Sequence, residues 1–194
     1  MWEWLLSIDE KVFLFLNRDI AHPALDILMP FITDLNNTII PLALFLLGLC
    51  ILGGKKGRIT VLVLLIVILI ADQLSGSVIK PLVGRLRPAH PDNLIEGARY
   101  LLGTKMSFSF PSSHAVNNAA AAFWLCYQYP KLSIIVIPLA FTAAFSRIYT
   151  GVHYPSDMLA GIIIGMLVTW AVIAAKKKIE MYWKWRKEKN QSAA

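Results

Sequence analysis

The sequence is poor in charged residues, and this shortage is the first guide to its class. Only 16% of its 194 residues are Asp, Glu, Lys or Arg, whereas an average soluble domain has about 25%. Hydrophobic residues make up 57% of the chain, where about 45–50% is usual. The mean hydropathy is +0.59. This balance argues against a soluble protein and indicates a surface that lies largely in lipid.

Cysteines and targeting signals are also scarce. The two cysteines, Cys50 and Cys126, lie in apolar segments, so we predict small buried side chains and no disulfide framework. No Cys/His cluster has the spacing of a zinc site. The N-terminus has no basic stretch, and Glu3, Asp9 and Glu10 interrupt its apolar residues. It is therefore not expected to be a signal peptide.

Positive charge is in excess, with a formal net charge of +7. Basic residues form two clusters along the chain. Lys55, Lys56 and Arg58 share one short turn, and a second group of basic residues follows Ala175. Both groups adjoin long apolar runs, which is where the cytoplasmic anchors of membrane helices are found. This distribution argues against a nucleic-acid partner.

Five segments are predicted to cross the membrane, since about 20 apolar residues span the hydrocarbon core as a helix. The segments are Thr38–Leu52, Ile59–Ile79, His114–Tyr129, Leu132–Tyr149 and Ser156–Ala175. The first is short, and the third carries Asn117 and Asn118. We therefore expect the third segment to face other helices more than lipid.

The N-terminal 36 residues have a different pattern. Apolar residues recur there at helical spacing with charged residues between them, which is typical of an amphipathic helix in the membrane interface. A sixth span beginning in this region is the alternative. The predicted fold is thus an all-α integral membrane bundle of five transmembrane helices, or of six in the alternative, with amphipathic helices at the N-terminal interface. Its divisions are an interfacial segment (1–36), the transmembrane domain (37–175) and a basic cytoplasmic tail (176–194).

The basic groups also predict the orientation of the chain. If the Lys55 turn and the tail are both cytoplasmic, the loops Pro81–Phe110 and Thr150–Pro155 both face the outside. Three polar clusters lie in or beside these loops: Lys80 to Pro88, Pro111 to His114, and Ser146 to Asp157. The alternation of the spans alone therefore brings all three clusters to one membrane face.

The residues of these clusters suit a phosphoryl group. A phosphoryl transition state spreads negative charge over three oxygens, and Lys80, Arg87 and Arg147 supply three cations. Ser112 and Ser113 precede a helix, whose first backbone N–H groups favour an anion. With three cations available, the chemistry needs no metal or other cofactor.

Two histidines can divide the proton transfers. His153 can attack phosphorus directly, and Asp157, four residues later, can hold its imidazole N–H and stabilise the resulting cation. His114, from another helix, can protonate the leaving oxygen and later activate water.

These motifs resemble the three signatures of the type 2 phosphatidic acid phosphatase superfamily. They are Lys-x6-Arg-Pro from Lys80, Pro-Ser-x-His ending at His114, and Ser-Arg-x5-His-x3-Asp ending at Asp157. The superfamily includes lipid phosphate phosphatases, bacterial undecaprenyl-diphosphate phosphatases, glucose-6-phosphatase and vanadium haloperoxidases. The resemblance covers about Lys80 to Asp157, and the order of the spans extends it. One position departs, because the family usually has Gly where this chain has Ser113.

The resemblance implies a role for each matching residue. His153 would be the nucleophile, Asp157 its partner and His114 the acid and base. The phosphate-binding residues would be Lys80, Arg87, Ser112, Ser113 and Arg147. Among the other polar residues, Asp72 is predicted to bond another helix, Arg85 to meet lipid headgroups or the loop, and His90 to lie at the interface.

The predicted function is hydrolysis of a lipid phosphate or diphosphate through a phosphohistidine. By analogy with compact family members, undecaprenyl diphosphate is the favoured substrate; phosphatidylglycerol phosphate, phosphatidic acid and lipid A phosphate are alternatives. A transporter is disfavoured because the polar groups cluster at one end of the spans, and a haloperoxidase because of the apolar spans.

The cell location follows from the same pattern. We expect a multi-pass protein of the bacterial cytoplasmic membrane, with the active site on the periplasmic or extracellular side. Its partners would be the bilayer and the lipid substrate, with no obligate protein partner inferred. The loop His90–Phe110 is the candidate specificity element.

Overall fold

The fold is a bundle of helices with one long loop, residues 84–112, between the fifth and sixth helices. The computed structural model describes residues 2–192, with side chains from Trp4 to Gln191, and contains no strand within that range. The helices are α1 (Trp2–Leu14), α2 (Pro23–Thr33), α3 (Leu35–Leu52), α4 (Gly54–Gln73), α5 (Lys80–Val83), α6 (Ser113–Gln128), α7 (Ser133–Tyr149) and α8 (Pro155–Ser192). Short 3₁₀ turns cover Pro91–Asn93 and Pro130–Leu132.

The N-terminal helices α1 and α2 are short. They have 13 and 11 residues, and about 20 are needed to cross the hydrocarbon core. The side of α1 that faces the protein carries Asp9 and Phe13, followed one turn later by Asn17, and all three are buried. Asn17 Nδ2 donates to the carbonyl oxygens of Arg99 and Tyr149, each at 2.8 Å. The segment is therefore packed onto the long loop and α7.

The position of Asp9 differs from the one that the amphipathic pattern predicts. The sequence pattern placed it on the polar side, but its exposure is 9%, while Ile8 and Val12 are 38% and 40% exposed. The physical reason is that partners on other segments satisfy its carboxylate, so an acid can occupy the inner face. The division of the chain into 1–36, 37–175 and 176–194 stays a prediction, although α8 continues as a helix well beyond Ala175.

Helix α4 continues into α5 through a π-helical stretch, Leu74–Ile79. Such stretches insert an extra residue into the turn and change the direction in which later side chains point. Lys80 is the first residue after this stretch. The irregular turn therefore helps to determine where the Lys80 ammonium lies.

Helix α6 lies between α4, α7 and α8 in the bundle. Gly161 and Gly165 of α8 allow a close approach, since a Cβ on Gly165 would lie 2.3 Å from the Val116 carbonyl oxygen. Thr169 then donates to the carbonyl oxygen of Ala120 at 3.1 Å. The small residues of α8 thus pack against α6 within this molecule.

Four helices are long and apolar enough to cross a membrane by length and composition. They are Leu35–Leu52, Gly54–Val83, Pro130–Tyr149 and Pro155–Gln191. The remaining predicted span forms α6, which has 16 residues. The membrane-helix bundle is confirmed, whereas the count of five or six is not.

Both basic groups lie at the same end of the bundle. The Lys56 ammonium is 4.5 Å from the centre of the Tyr129 ring, and the Lys177 ammonium is 5.7 Å from the centre of the Tyr127 ring. The two tyrosines lie at the C-terminal end of α6, whereas Ser113 and His114 begin this helix. The polar clusters and the basic groups therefore occupy opposite ends of α6.

Candidate active site

His153 lies in the turn between α7 and α8, with an exposure of 1%. Its Nε2 is 2.9 Å from Arg87 Nη1, and its Nδ1 is 3.3 Å from Asp157 Oδ2. A guanidinium can only donate, so Nε2 must accept from it and carries no proton. The ring proton therefore lies on Nδ1 and faces Asp157.

The environment of His153 keeps the imidazole neutral. Burial lowers the pKa of His153 well below its usual value, and the charges of Arg87, Arg147 and Lys80 lower it further. Nε2 consequently carries no proton at neutral pH, and its lone pair accepts from Arg87. That lone pair lies beside Arg87, on the side of the ring opposite Asp157.

Asp157 is fully buried in the first turn of α8. Its Oδ2 also accepts from the backbone N–H of Tyr154 at 2.9 Å, as an acid does in the third position of a capped helix. Its Oδ1 accepts from Arg85 Nη1 at 3.0 Å. These bonds hold both carboxylate oxygens in place.

Arg85 joins this carboxylate to the N-terminal helix. Its Nη2 donates to Asp9 Oδ2 at 2.7 Å, and its Nη1 also donates to Ser156 Oγ at 2.7 Å. Asp9 in turn accepts from the Ser156 backbone N–H at 2.9 Å. The guanidinium carbon lies 3.9 Å from the centre of the Tyr154 ring. Arg85 is thus held on several sides.

The positive charges of Lys80, Arg87 and Arg147 all act on His153. Arg87 Nε donates to the Ser107 carbonyl oxygen at 2.9 Å, a hydrogen bond that joins the two ends of the long loop. Arg147 Nη1 donates to Thr33 Oγ1 at 2.8 Å. The Nε of Arg147 is buried and has no hydrogen-bond partner among the described residues.

The two serines occupy the first turn of α6. Ser112 is its N-cap, with Oγ 3.4 Å from the Ala115 backbone nitrogen, and its own N–H donates to the Asp157 carbonyl oxygen at 3.1 Å. Ser113 shares a 3.1 Å hydrogen bond with Ser75 of the π-helical stretch. Ser113 has helical backbone geometry, and no described residue other than glycine has a positive φ. The replacement of glycine at this position therefore causes no backbone strain.

His114 lies on the second residue of α6 and interacts electrostatically with His153. Its other neighbours include Arg147, Lys80, Arg87 and the backbone of Thr33. The structure therefore brings together the groups that the sequence placed at one membrane face. A phosphoryl group held by these cations would meet an imidazole from each of two helices.

Sequence reasoning missed the importance of Arg85 and Asp9. The sequence predicts that Arg85 meets lipid headgroups or the loop, whereas its guanidinium contacts the buried acid of the site. His90 is likewise buried, with an exposure of 7%, so its side chain packs inside the protein; its place at the membrane interface stays a prediction. The prediction for Asp72 agrees with the structure, because its Oδ1 accepts from Asn117 Nδ2 at 2.9 Å.

Comparison with known proteins gives the family. The model of the PAP2 superfamily matches residues 61–181, which include every predicted catalytic and phosphate-binding residue. The chain belongs to the PAP2 superfamily. A lipid A 4'-phosphatase of Bacteroides thetaiotaomicron is 36% identical over 176 residues, which cover 88% of this chain and 77% of that protein.

Two solved structures are similar to this PAP2 protein. The transmembrane PAP2-type phosphatidylglycerolphosphate phosphatase of Bacillus subtilis has a TM-score of 0.67 and 29% identity, covering 90% of this chain and 87% of that one. LpxE of Aquifex aeolicus has a TM-score of 0.68 and 25% identity, covering 84% of this chain and 93% of that one.

The family and the helices together establish the general activity and setting. This PAP2 protein is a lipid phosphatase, and it is a multi-pass bacterial membrane protein. The predicted enzyme class is confirmed, as is the predicted superfamily. The roles of the individual site residues stay predictions.

Proposed function

We propose that this lipid phosphatase works without a metal, through a phosphohistidine on His153. The observation that carries the proposal is the orientation of its ring. Nε2 carries a lone pair beside Arg87, and Nδ1–H faces Asp157. Of the two ring nitrogens, Nε2 is the one beside Arg87 and the one without a proton.

In the first step, the lone pair of Nε2 forms a bond to phosphorus while the bond from phosphorus to the lipid oxygen breaks. The electron pair of the broken bond stays on that oxygen, and His114, protonated in the presence of the negatively charged phosphoryl group, supplies its proton. Asp157 compensates the positive charge that develops on the His153 ring. Lys80, Arg87 and Arg147 stabilise the phosphoryl oxygens.

In the second step, water attacks phosphorus and the bond from phosphorus to Nε2 breaks. His114, now neutral, accepts a proton from the water. Inorganic phosphate leaves, and His153 recovers its lone pair. All charge stabilisation comes from side chains and from the first N–H groups of α6, so the reaction does not require a metal ion.

The physiological substrate is a finer proposal. The sequence favoured undecaprenyl diphosphate, and that stays a prediction. The extensive similarity to a lipid A 4'-phosphatase supports a different choice, a membrane lipid whose phosphate is carried by a sugar. We place the site on the outer side of the cytoplasmic membrane, because the basic groups lie at the opposite end of α6.

Trapping the intermediate tests the mechanism. Purified protein is mixed with a ³²P-labelled lipid phosphate in detergent containing EDTA, quenched in alkali and digested. We expect acid-labile label on the peptide that contains His153, and no label or phosphate release in His153→Ala. His22→Asn is the matched control, because His22 is exposed and caps α2. Phosphate release by His153→Ala, or activity that requires added metal, would contradict the proposal.

A further inference from the structure

A polar cavity of about 430 Å³ lies beside Arg147, at the junction of α2, α3 and the long loop. Its volume is within the range of small-molecule sites, about 300–1,000 Å³. Its lining includes Phe31, Thr33, Asp34, Asn37, Lys105 and Arg147.

The cavity and the phosphoryl site share Arg147. One side of the guanidinium donates to Thr33, which also lines the cavity, while its charge acts on His153 and His114. The buried Nε of Arg147 has no partner among the described residues. A ligand in the cavity would therefore lie next to a phosphate bound by Arg147.

The charges of the cavity disfavour a second phosphate there. Arg147 is engaged by the phosphate that reacts, which leaves Lys105 as the positive charge and Asp34 as the negative charge of the lining. These two cancel. A further phosphate of a diphosphate would carry about one or two negative charges with no surplus cation to offset them.

The lining instead suits hydroxyl groups on a ring. Asn37 Nδ2 donates to the Phe31 carbonyl oxygen at 3.1 Å, which fixes the amide so that its oxygen can accept from a hydroxyl. Asp34 Oδ1 is fixed by the Asn36 backbone N–H at 3.0 Å. The Phe31 side chain is 56% exposed and offers an apolar surface to the C–H face of a sugar.

We propose that this cavity holds the sugar ring that carries the scissile phosphate. This inference rests on the proposed lipid phosphatase reaction and adds the part of the headgroup that the enzyme selects. The cavity makes the enzyme prefer a sugar-borne phosphate to a phosphate on glycerol or on a polyprenyl chain.

The test compares three substrates in mixed detergent micelles: a lipid A bearing a 4'-phosphate, dioleoyl phosphatidic acid and a polyprenyl diphosphate. The kcat/KM of each is measured for the wild type and for Asn37→Leu and Lys105→Met. Removing a hydrogen bond to a sugar hydroxyl should lower the ratio of lipid A to phosphatidic acid about tenfold or more. Asn190→Leu and Lys131→Met are matched controls that do not line the cavity, and their ratios should stay within about twofold, a small effect on this scale.

Each outcome decides between the two proposals. If the wild type hydrolyses phosphatidic acid but not lipid A, the cavity inference is wrong and the phosphatase reaction stands. If the two cavity variants leave the ratio unchanged, or lower diphosphate hydrolysis most, the cavity does not select a sugar. If the wild type hydrolyses none of the three lipids, the proposed function fails and the inference fails with it.

Discussion

At the level of single residues, the orientation of His153 depends on a chain of charges that ends in the N-terminal helix. Asp9 bonds Arg85, Arg85 bonds Asp157, and Asp157 faces His153 Nδ1. We expect Arg85 to act as a positioning residue, because its guanidinium holds the carboxylate that faces the imidazole.

Replacing Arg85 by Met should therefore lower kcat more than it raises KM. A shift of about 1 Å in the reacting group can reduce the rate about a hundredfold. Because Arg85 offsets the charge of Asp157, its loss should strengthen the attraction between that carboxylate and the imidazolium. The pKa of His153, which burial and the nearby cations lower, should then rise. The acid limb of the profile of kcat/KM against pH should move to higher pH.

Arg85→Lys keeps the charge but loses the planar fork that contacts two acids, so we expect partial recovery of the pH profile. Arg58→Met, at the other end of the bundle, is the control and should behave as the wild type. An Arg85→Met protein with an unchanged pH profile would show that Arg85 has only a general structural role.

At the level of helices, the close packing of α6 and α8 places the two histidines. Ser112 at the start of α6 donates to the Asp157 backbone, and Gly161 and Gly165 contact α6 directly. Since His114 begins α6 and His153 precedes α8, the separation of these helices determines the space between the imidazoles.

Gly165→Ala should destabilise the protein and lower its activity. The added methyl would meet the Val116 carbonyl oxygen at 2.3 Å and the Ala120 nitrogen at 2.9 Å, and such overpacking costs about 1–3 kcal/mol. Gly48→Ala in α3 is the matched control, because nothing lies within 4 Å of its added methyl. Thermal unfolding in detergent measures the melting temperature of each variant, and phosphate release measures its activity. Equal melting temperatures would argue against tight packing at Gly165.

At the level of the whole molecule, the two ends of the bundle differ in their side chains: one end carries the candidate active site and the other carries the basic clusters. The histidines and their acids lie where α6 and α8 begin, while Lys56 and Lys177 lie where α6 ends. Positive loops are retained in the cytoplasm, so this asymmetry predicts which side of the membrane the site faces.

Labelling with an impermeant maleimide tests that orientation. Asp92, whose side chain is 82% exposed, and Lys187 are each replaced by cysteine in a protein that lacks Cys50 and Cys126. We expect Asp92→Cys to react in intact cells and Lys187→Cys to react only after lysis. The reverse pattern would place the site on the cytoplasmic side.

The motifs and the helices could be predicted from the sequence because both depend on local order. Apolar length indicates a membrane helix whatever its neighbours, and fixed spacings such as the four residues from His153 to Asp157 keep two side chains near each other. The alternation of spans then brought Lys80, His114 and His153 to one side. These conclusions require only the connectivity of the chain and the thickness of the membrane.

The contacts of Asp9 and Arg85 and the cavity beside Arg147 were decided by the tertiary structure alone. Asp9 lies 76 positions before Arg85 and 147 before Ser156, and no local pattern specifies partners so distant. From sequence alone, an acid such as Asp9 is also predicted to lie on the surface, because burial requires a counter-charge that the local pattern does not show. The sequence by itself predicted which groups carry out the chemistry and determined at which end of the helices they lie. Only the packing of the N-terminal segment against the bundle decided how those groups are held and what space remains for the headgroup.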